Sequence, residues 1–301
     1  MRESTSPASS AYPPCRICGS GSVPVFMNGA HRFYRCMSCR TAFVSPVPSD
    51  EFLANFYNTY HLSDAAGGLY DAVEARMQAD FHAKIALVRA AAASMGIASP
   101  RVLDVGCGKG YFVRACVDAG LDAEGVDLSE TGVEFARKEL GVKATAGLLA
   151  HVKSQLGLFD LATFWATIEH LPDPIGTIRD IGTVLKPRGR LLLDTGIGDD
   201  ELDRLLPGHV QWYDAPQHLF VFSDAGMRET LRRAGFNALT LDPCFERSNA
   251  RRVVRKVRNG LTAVLLRGVA EIGRLRHNEF VFTRFPIGNL MSVQAEKVLA
   301  P

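Results

Sequence analysis

The sequence lacks any run of about 18 apolar residues, which excludes an obvious membrane span. It also lacks a strong net charge. Lys and Arg number 34 against 32 Asp and Glu, a formal +2 over 301 residues. That balance excludes the overall basic excess of a protein that coats nucleic acid. The opening MRESTSPASSAYPP has no apolar centre of the kind a secretory signal needs. Residues 1–11 read as a flexible tail, and the chain is expected to stay in the cytoplasm. Thiols stay reduced there, so paired cysteines point to a metal rather than to disulfides.

What the sequence does hold is concentrated. Cys15, Cys18, Cys36 and Cys39 form two Cys-x-x-Cys pairs with 17 residues between them. Each pair aims two thiolates at one ion, and two pairs complete a tetrahedral four-cysteine shell for zinc. A closed shell has no open position, so the zinc is expected to be structural. Residues 12–45 are too few to bury a core without such a staple. VPVF and HRFYR alternate like short strands within this ribbon. Cys107, Cys116 and Cys244 are scattered and read as core or loop residues. Residues 46–99 form a connector. EFLANFYNTYH looks helical and brings Tyr57, Tyr60 and His61 close together, and residues 69–96 predict one long Ala-rich helix stopped by Gly96 and Pro100.

The chain then changes character. RVLDVGCGKGYFVRACVDAG reads as an apolar strand, a glycine turn and a helix. Gly106, Gly108 and Gly110 remove side chains where the backbone turns sharply and meets a ligand, and the next helix offers free N–H groups at its start. A second strand ends in Asp127, 23 residues after Asp104. An acid there accepts both hydroxyls of a ribose.

The turn reads D-x-G-x-G-x-G, which resembles motif I of the class I S-adenosylmethionine-dependent methyltransferases. FDLATFWATIEHLPDPIGTIRDIGTVLKPRGRLLLDTG, residues 159–196, resembles the fourth strand, helix, proline turn and fifth strand of the same family. The resemblance covers roughly residues 100–242. It implies an α/β fold: a Rossmann-like, seven-stranded, mostly parallel sheet over residues 100–301, preceded by the zinc ribbon. It further implies that Asp104 and the three glycines hold the methionine end of S-adenosylmethionine and that Asp127 takes the ribose. Leu128 and Leu148 would flank the adenine, and Phe164 and Trp165 would border the sulfonium. Tyr60, in the YNTYH stretch, joins the expected cofactor contacts.

With its ribbon, the chain resembles a bacterial group of sugar C-methyltransferases and natural-product tailoring enzymes. That likeness makes the ribbon an expected structural cap beside a substrate cleft. The group's Tyr-His-Glu-His-Leu signature falls on Ala215-Pro216-Gln217-His218-Leu219, where only His-Leu survives. His218 is therefore the first candidate base, with Tyr213, Glu169 and His170 as further candidates. The Glu-x-x-Glu-His metal cluster of ubiquinone-type O-methyltransferases lacks its first carboxylate here, in Ala166-Thr167-Ile168-Glu169-His170, so no catalytic magnesium is expected.

Between the expected sixth strand, residues 237–243, and seventh, 288–297, lies an extra helical insertion of about residues 247–280. Val254, Val257, Leu261, Val264, Ile272 and Leu275 give it an apolar stripe. From Arg247 to Arg276 it carries nine Lys/Arg and one acid, while the rest of the chain carries 25 basic and 31 acidic residues. It can serve as a lid with a solvated basic face, as an anion site for a phosphorylated or nucleotide-linked acceptor, or as a peripheral contact with the inner face of an anionic membrane near a lipid-like acceptor. A small-molecule acceptor is expected. The alternative is ribosomal RNA, gripped by a ribbon that carries Arg16, His31, Arg32, Phe33, Tyr34, Arg35 and Arg40.

Overall fold

The computed structural model of the chain describes residues 12–28, 31–49, 51–53, 55–57, 80–242, 265 and 289–298. Tyr60 and His61 lie outside the described residues, as does the insertion 247–280 apart from Leu265. The chain folds as two compact units. One holds residues 1–47, 196–230 and 243–290, the other residues 48–195, 231–242 and 291–301.

The first unit is built on a four-stranded sheet. β1 (Ser22–Asn28), β2 (His31–Cys36) and β3 (Ala42–Val44) pair antiparallel in sequence order. A fourth strand, β9 (Phe220–Val221), then pairs antiparallel with β3 through Ala42↔Val221 and Phe43↔Phe220. The sequence predicts a self-contained ribbon over residues 12–45, yet its sheet is completed by a strand from far downstream. The reason is burial. Phe33, Phe43, Val44, Phe220 and Val221 are almost wholly hidden, and β1–β3 alone supply too little apolar surface to cover them.

The second unit is the expected seven-stranded sheet. Its strands are β4 (Arg101–Val105), β5 (Asp122–Asp127), β6 (Ala144–Ala146), β7 (Phe159–Trp165), β8 (Leu185–Gly196), β10 (Phe236–Asp242) and β11 (Leu290–Lys297). Their order is β10-β11-β8-β7-β4-β5-β6. The central pairs are parallel and β10–β11 is antiparallel. β4 and β7 are buried along nearly their whole length because parallel strands are covered on both faces. The predicted long helix is described over residues 80–94, and its Ile85, Val88, Ala91 and Ala92 pack with Val102, Val113 and Leu161 in the core.

Local caps set the helices that flank the site. The helix α1 (Tyr111–Asp118) starts after Gly110, α2 (Glu130–Lys138) is capped by Ser129, and α3 (Pro174–Val184) by Asp173. Pro174 at the first turn is pre-set for helix entry. No helix among the described residues is long and apolar enough to cross a membrane.

Arg188, within β8, sits at φ +60°, a conformation that favours glycine. A left-handed residue with a Cβ costs about 1 kcal/mol, and its ion pair with Glu296 is long at 3.6 Å and exposed. Arg188→Gly is therefore expected to raise stability by up to about 1 kcal/mol. Urea unfolding checks this, and a loss of stability would show that the Arg188 side chain matters.

Candidate functional site

The second unit carries the glycine turn. Gly106, Gly108 and Gly110 all adopt positive φ, at 76°, 54° and 79°. A Cβ on Gly106 would collide with the Thr167 side chain, and one on Gly110 would lie 2.7 Å from the Ala136 Cβ. The backbone here is as close to its neighbours as it can come.

Asp127 closes β5 beneath this turn. Its Oδ2 accepts the Gly108 N–H at 2.8 Å and its Oδ1 accepts the Ser129 N–H at 2.8 Å. Each oxygen keeps a second lone pair, so the carboxylate is fixed in orientation and still able to accept two hydroxyls. Leu128 is half-buried and Leu148 is 42% exposed, as residues that cover a flat base would be.

Asp104, near the end of β4, is 4% exposed and accepts a hydrogen bond from Thr163 Oγ1 at 2.6 Å. Burial pushes its pKa up to about 7, against the pull of Thr163 and of the Lys84 ammonium. Lys84, on helix 80–94, is itself buried. Its Nζ lies 2.9 Å from Asp80, 3.3 Å from Asp194 and 5.0 Å from the Trp165 ring centroid. Burial works against its charge, but Asp194 and Asp80 outweigh burial and hold the pKa above the usual lysine value. Asp194 Oδ1 also accepts the N–H of Ala166 at 2.7 Å. Ala166 sits at φ +45°, so the turn that leaves β7 is clamped in a conformation that alanine disfavours.

The two aromatic residues at the end of β7 part company. Trp165 is half-buried and meets Phe112 edge-on at 5.6 Å, and its buried indole N–H has no partner among the described residues. Phe164 is fully buried. Strand alternation turns it to the face opposite Thr163 and Trp165.

Glu169 and His170 follow in a single 3-10 turn, Ile168–His170. Glu169 is buried, accepts the Thr195 hydroxyl at 2.9 Å, and is pushed up in pKa by burial. The His170 ring meets Tyr57 edge-on at 6.0 Å.

In the first unit Tyr213, a candidate base in the sequence, sits in a closed setting. It is fully buried, its hydroxyl donates to Asp203 at 2.9 Å, and Arg35 donates to it. Burial, reinforced by the Asp203 charge, drives its pKa well above the usual phenol value. His218 is half-buried, with Nδ1 2.9 Å from the Trp212 carbonyl. A carbonyl only accepts, so Nδ1 carries the proton and the lone pair of the neutral ring is on Nε2.

The four ribbon thiols converge within 4.8 Å of one another. Cys15 and Cys39 stand 3.6 Å apart, Cys18 and Cys36 3.4 Å. A tetrahedron with metal–sulfur bonds of about 2.3 Å has edges of about 3.8 Å, so the set fits zinc. Backbone N–H groups of Ile17, Ser38 and Cys39 point at the sulfurs of Cys15 and Cys36. The hydrogen bond between Cys15 and Cys39 lowers the pKa of Cys15 and raises that of Cys39, so the two buried thiols hold one proton between them.

Lys84, Asp194 and Thr163 escaped the sequence reading. One signal was present: Lys84 falls on the apolar stripe of Phe81, Ile85 and Val88, where a charge needs buried partners.

Residues 74–241 match the family model for a methyltransferase domain. The chain belongs to that family. A ubiquinone biosynthesis O-methyltransferase of Bordetella avium is 34% identical over 131 residues, covering 38% of this chain and 54% of that one. The methyltransferase thus spans about half the length of such relatives. Among solved structures, a magnesium protoporphyrin IX methyltransferase from Synechocystis with bound SAH matches at TM-score 0.54 and 15% identity, over 83% of this chain and all of that one. An S-adenosylmethionine-dependent methyltransferase from Clostridium acetobutylicum matches at TM-score 0.50 and 11% identity, over 78% of this chain and 99% of that one. These two likenesses concern the fold.

Proposed function

We propose that the chain methylates a hydroxyl of a small molecule, with a zinc ion on the four ribbon cysteines that only holds the first unit together. The doubly anchored Asp127 carboxylate beneath the Gly106–Gly110 turn carries the cofactor assignment. Asp104, Gly106, Gly108 and Gly110 take the methionine end, Asp127 the ribose, Leu128 and Leu148 the base, and Trp165 the methyl-bearing sulfur. The O-methyltransferase names of its relatives support oxygen as the acceptor atom. The reaction is an in-line displacement in which the acceptor oxygen attacks the methyl group as its proton leaves. His218, with its proton fixed on Nδ1, is the proposed base through Nε2.

The fate of most of the ribbon's aromatic and basic residues favours this reading over RNA. Phe33, Tyr34 and Arg35 are buried and Arg16 stacks on Phe220 at 4.9 Å, which leaves Arg32 and Arg40 as the exposed arginines of the set. An RNA grip needs such groups on the surface. The nine basic residues of 247–276 support an acidic acceptor, such as one bearing phosphate.

Incubating the protein and methyl-labelled S-adenosylmethionine with source-cell lysate is expected to put label in the small-molecule or lipid fraction. Label in RNA would overturn this reading. With the acceptor so isolated, His218→Gln is expected to lower kcat by about 10²–10⁴-fold with cofactor affinity retained. A wild-type kcat would remove His218 from the mechanism.

A further inference from the structure

Asp104 is a carboxylate shut away from water with no cation of its own. It is 4% exposed, and Thr163 Oγ1 on β7 donates to it. Among the described residues no ion pair includes it. The nearest ammonium, Lys84 on helix 80–94, is held by Asp80 and Asp194. The other charged groups that act on Asp104 are Asp127 on β5 and Asp194 on β8, both of its own sign. The thiols of Cys107 in the glycine turn and Cys116 on α1 are pushed up by burial and stay neutral.

A buried carboxylate in that position takes a proton or a cation. Its place settles which cation is on offer. Asp104 is one residue from the carboxyl end of a central parallel strand, directly before the glycine turn, where ligands of such sheets bind. S-adenosylmethionine brings a sulfonium, an ammonium and a carboxylate, a net charge of +1. S-adenosylhomocysteine has lost the sulfonium charge and is net neutral.

We propose that Asp104 makes the cofactor site selective for charge: it holds a proton in the ligand-free protein, releases it to solvent when S-adenosylmethionine binds, and releases less of it to S-adenosylhomocysteine. The inference rests on the cofactor site proposed above. The balance over a turnover is closed. The sulfur–methyl bond breaks with its electron pair left on sulfur, and the acceptor oxygen forms the new bond as its own proton goes to the base. The sulfonium charge is then gone, Asp104 regains a proton from solvent, and the hold on the spent cofactor weakens. An Asp104 pKa raised by burial to about 7 places this exchange in the physiological range.

The test is titration calorimetry of the full-length, zinc-loaded protein with S-adenosylmethionine and with S-adenosylhomocysteine, in phosphate and in imidazole, from pH 6 to 8. Buffers of different ionisation enthalpy report the protons released. The sulfonium makes the ammonium of S-adenosylmethionine the more acidic of the two, so each free ligand is titrated alone and its own proton exchange is subtracted before the comparison. S-adenosylmethionine is expected to release more protons than S-adenosylhomocysteine, and its affinity to rise about tenfold from pH 6 to 8, as follows for a group that starts near 7 and ends ionised. Asp104→Asn, which still accepts from Thr163, should flatten that rise. Lys84→Met should move it to higher pH, since the ammonium favours the ionised carboxylate. No proton release, or equal release for both ligands, overturns the inference. Should a variant fail to fold, the two ligands on the wild-type protein decide alone. Absence of binding by either ligand would instead overturn the cofactor site itself.

Discussion

Arg35→Ala is expected to destabilise the first unit by about 3–5 kcal/mol. Arg35 is 5% exposed near the end of β2. Its guanidinium donates to Asp203 Oδ2 at 2.6 Å and to the Tyr213 hydroxyl, and it lies 3.5 Å from Asp199. Asp203 is fully buried and also accepts the Asp199 N–H at 2.7 Å and the Tyr213 hydroxyl. Removing the cation leaves a carboxylate in the interior with no positive partner, and that orphan charge dominates the cost. Arg35→Lys keeps the charge but not the planar fork, so it should cost less. Arg35→Met combined with Asp203→Asn should cost less than the sum of the two single changes, because neither partner is then left charged and alone. Denaturant unfolding of these variants beside the wild type measures this. A cost below about 1 kcal/mol for Arg35→Ala would mean that water serves Asp203 as well as arginine does.

Removing the metal is expected to have the larger effect. The purified protein should contain one zinc per chain by elemental analysis, and Cys36→Ser should abolish it. Structural zinc contributes about 10–16 kcal/mol in peptides that fold around it, far more than the remaining packing of β1–β3 supplies. Chelation should therefore unfold the first unit. Protons compete with the metal for thiolates, so acid should promote metal loss, with chelator-induced unfolding faster at pH 6 than at pH 8. Full retention of the thermal transition after zinc is stripped would return the four cysteines to the status of ordinary core thiols.

The convergence of those four cysteines was legible because their spacing is carried locally. So was the tight turn after β4, where three glycines and two acids lie within 24 residues. Tyr213 was not. In sequence it stands beside Asp214 and close to His218, as a catalytic tyrosine would. Its actual partner is Arg35, 178 positions away, and nothing local announces a pairing of that range. Phe164 shows the opposite failing. The two-residue period of a strand already separates it from Trp165, and the family likeness drew both to the ligand. Lys84 lies between these cases. Its place on an apolar helical stripe was visible, but its partner Asp194 comes from a strand that only the folded sheet brings near. The buried acids Asp104, Asp194 and Glu169 carry their chemistry through burial, which composition does not display.

β9 has a consequence for how the protein is made. The N-terminal sheet is completed by Phe220 and Val221, so both knuckles, with Phe33, Phe43 and Val44, leave the ribosome long before their last strand exists. At translation rates of about 5–20 residues per second the wait is about 10–35 s. Through that interval the nascent chain presents a half-finished apolar edge beside four open thiols. The first sheet therefore stays open for most of synthesis, whatever the stability of the finished molecule.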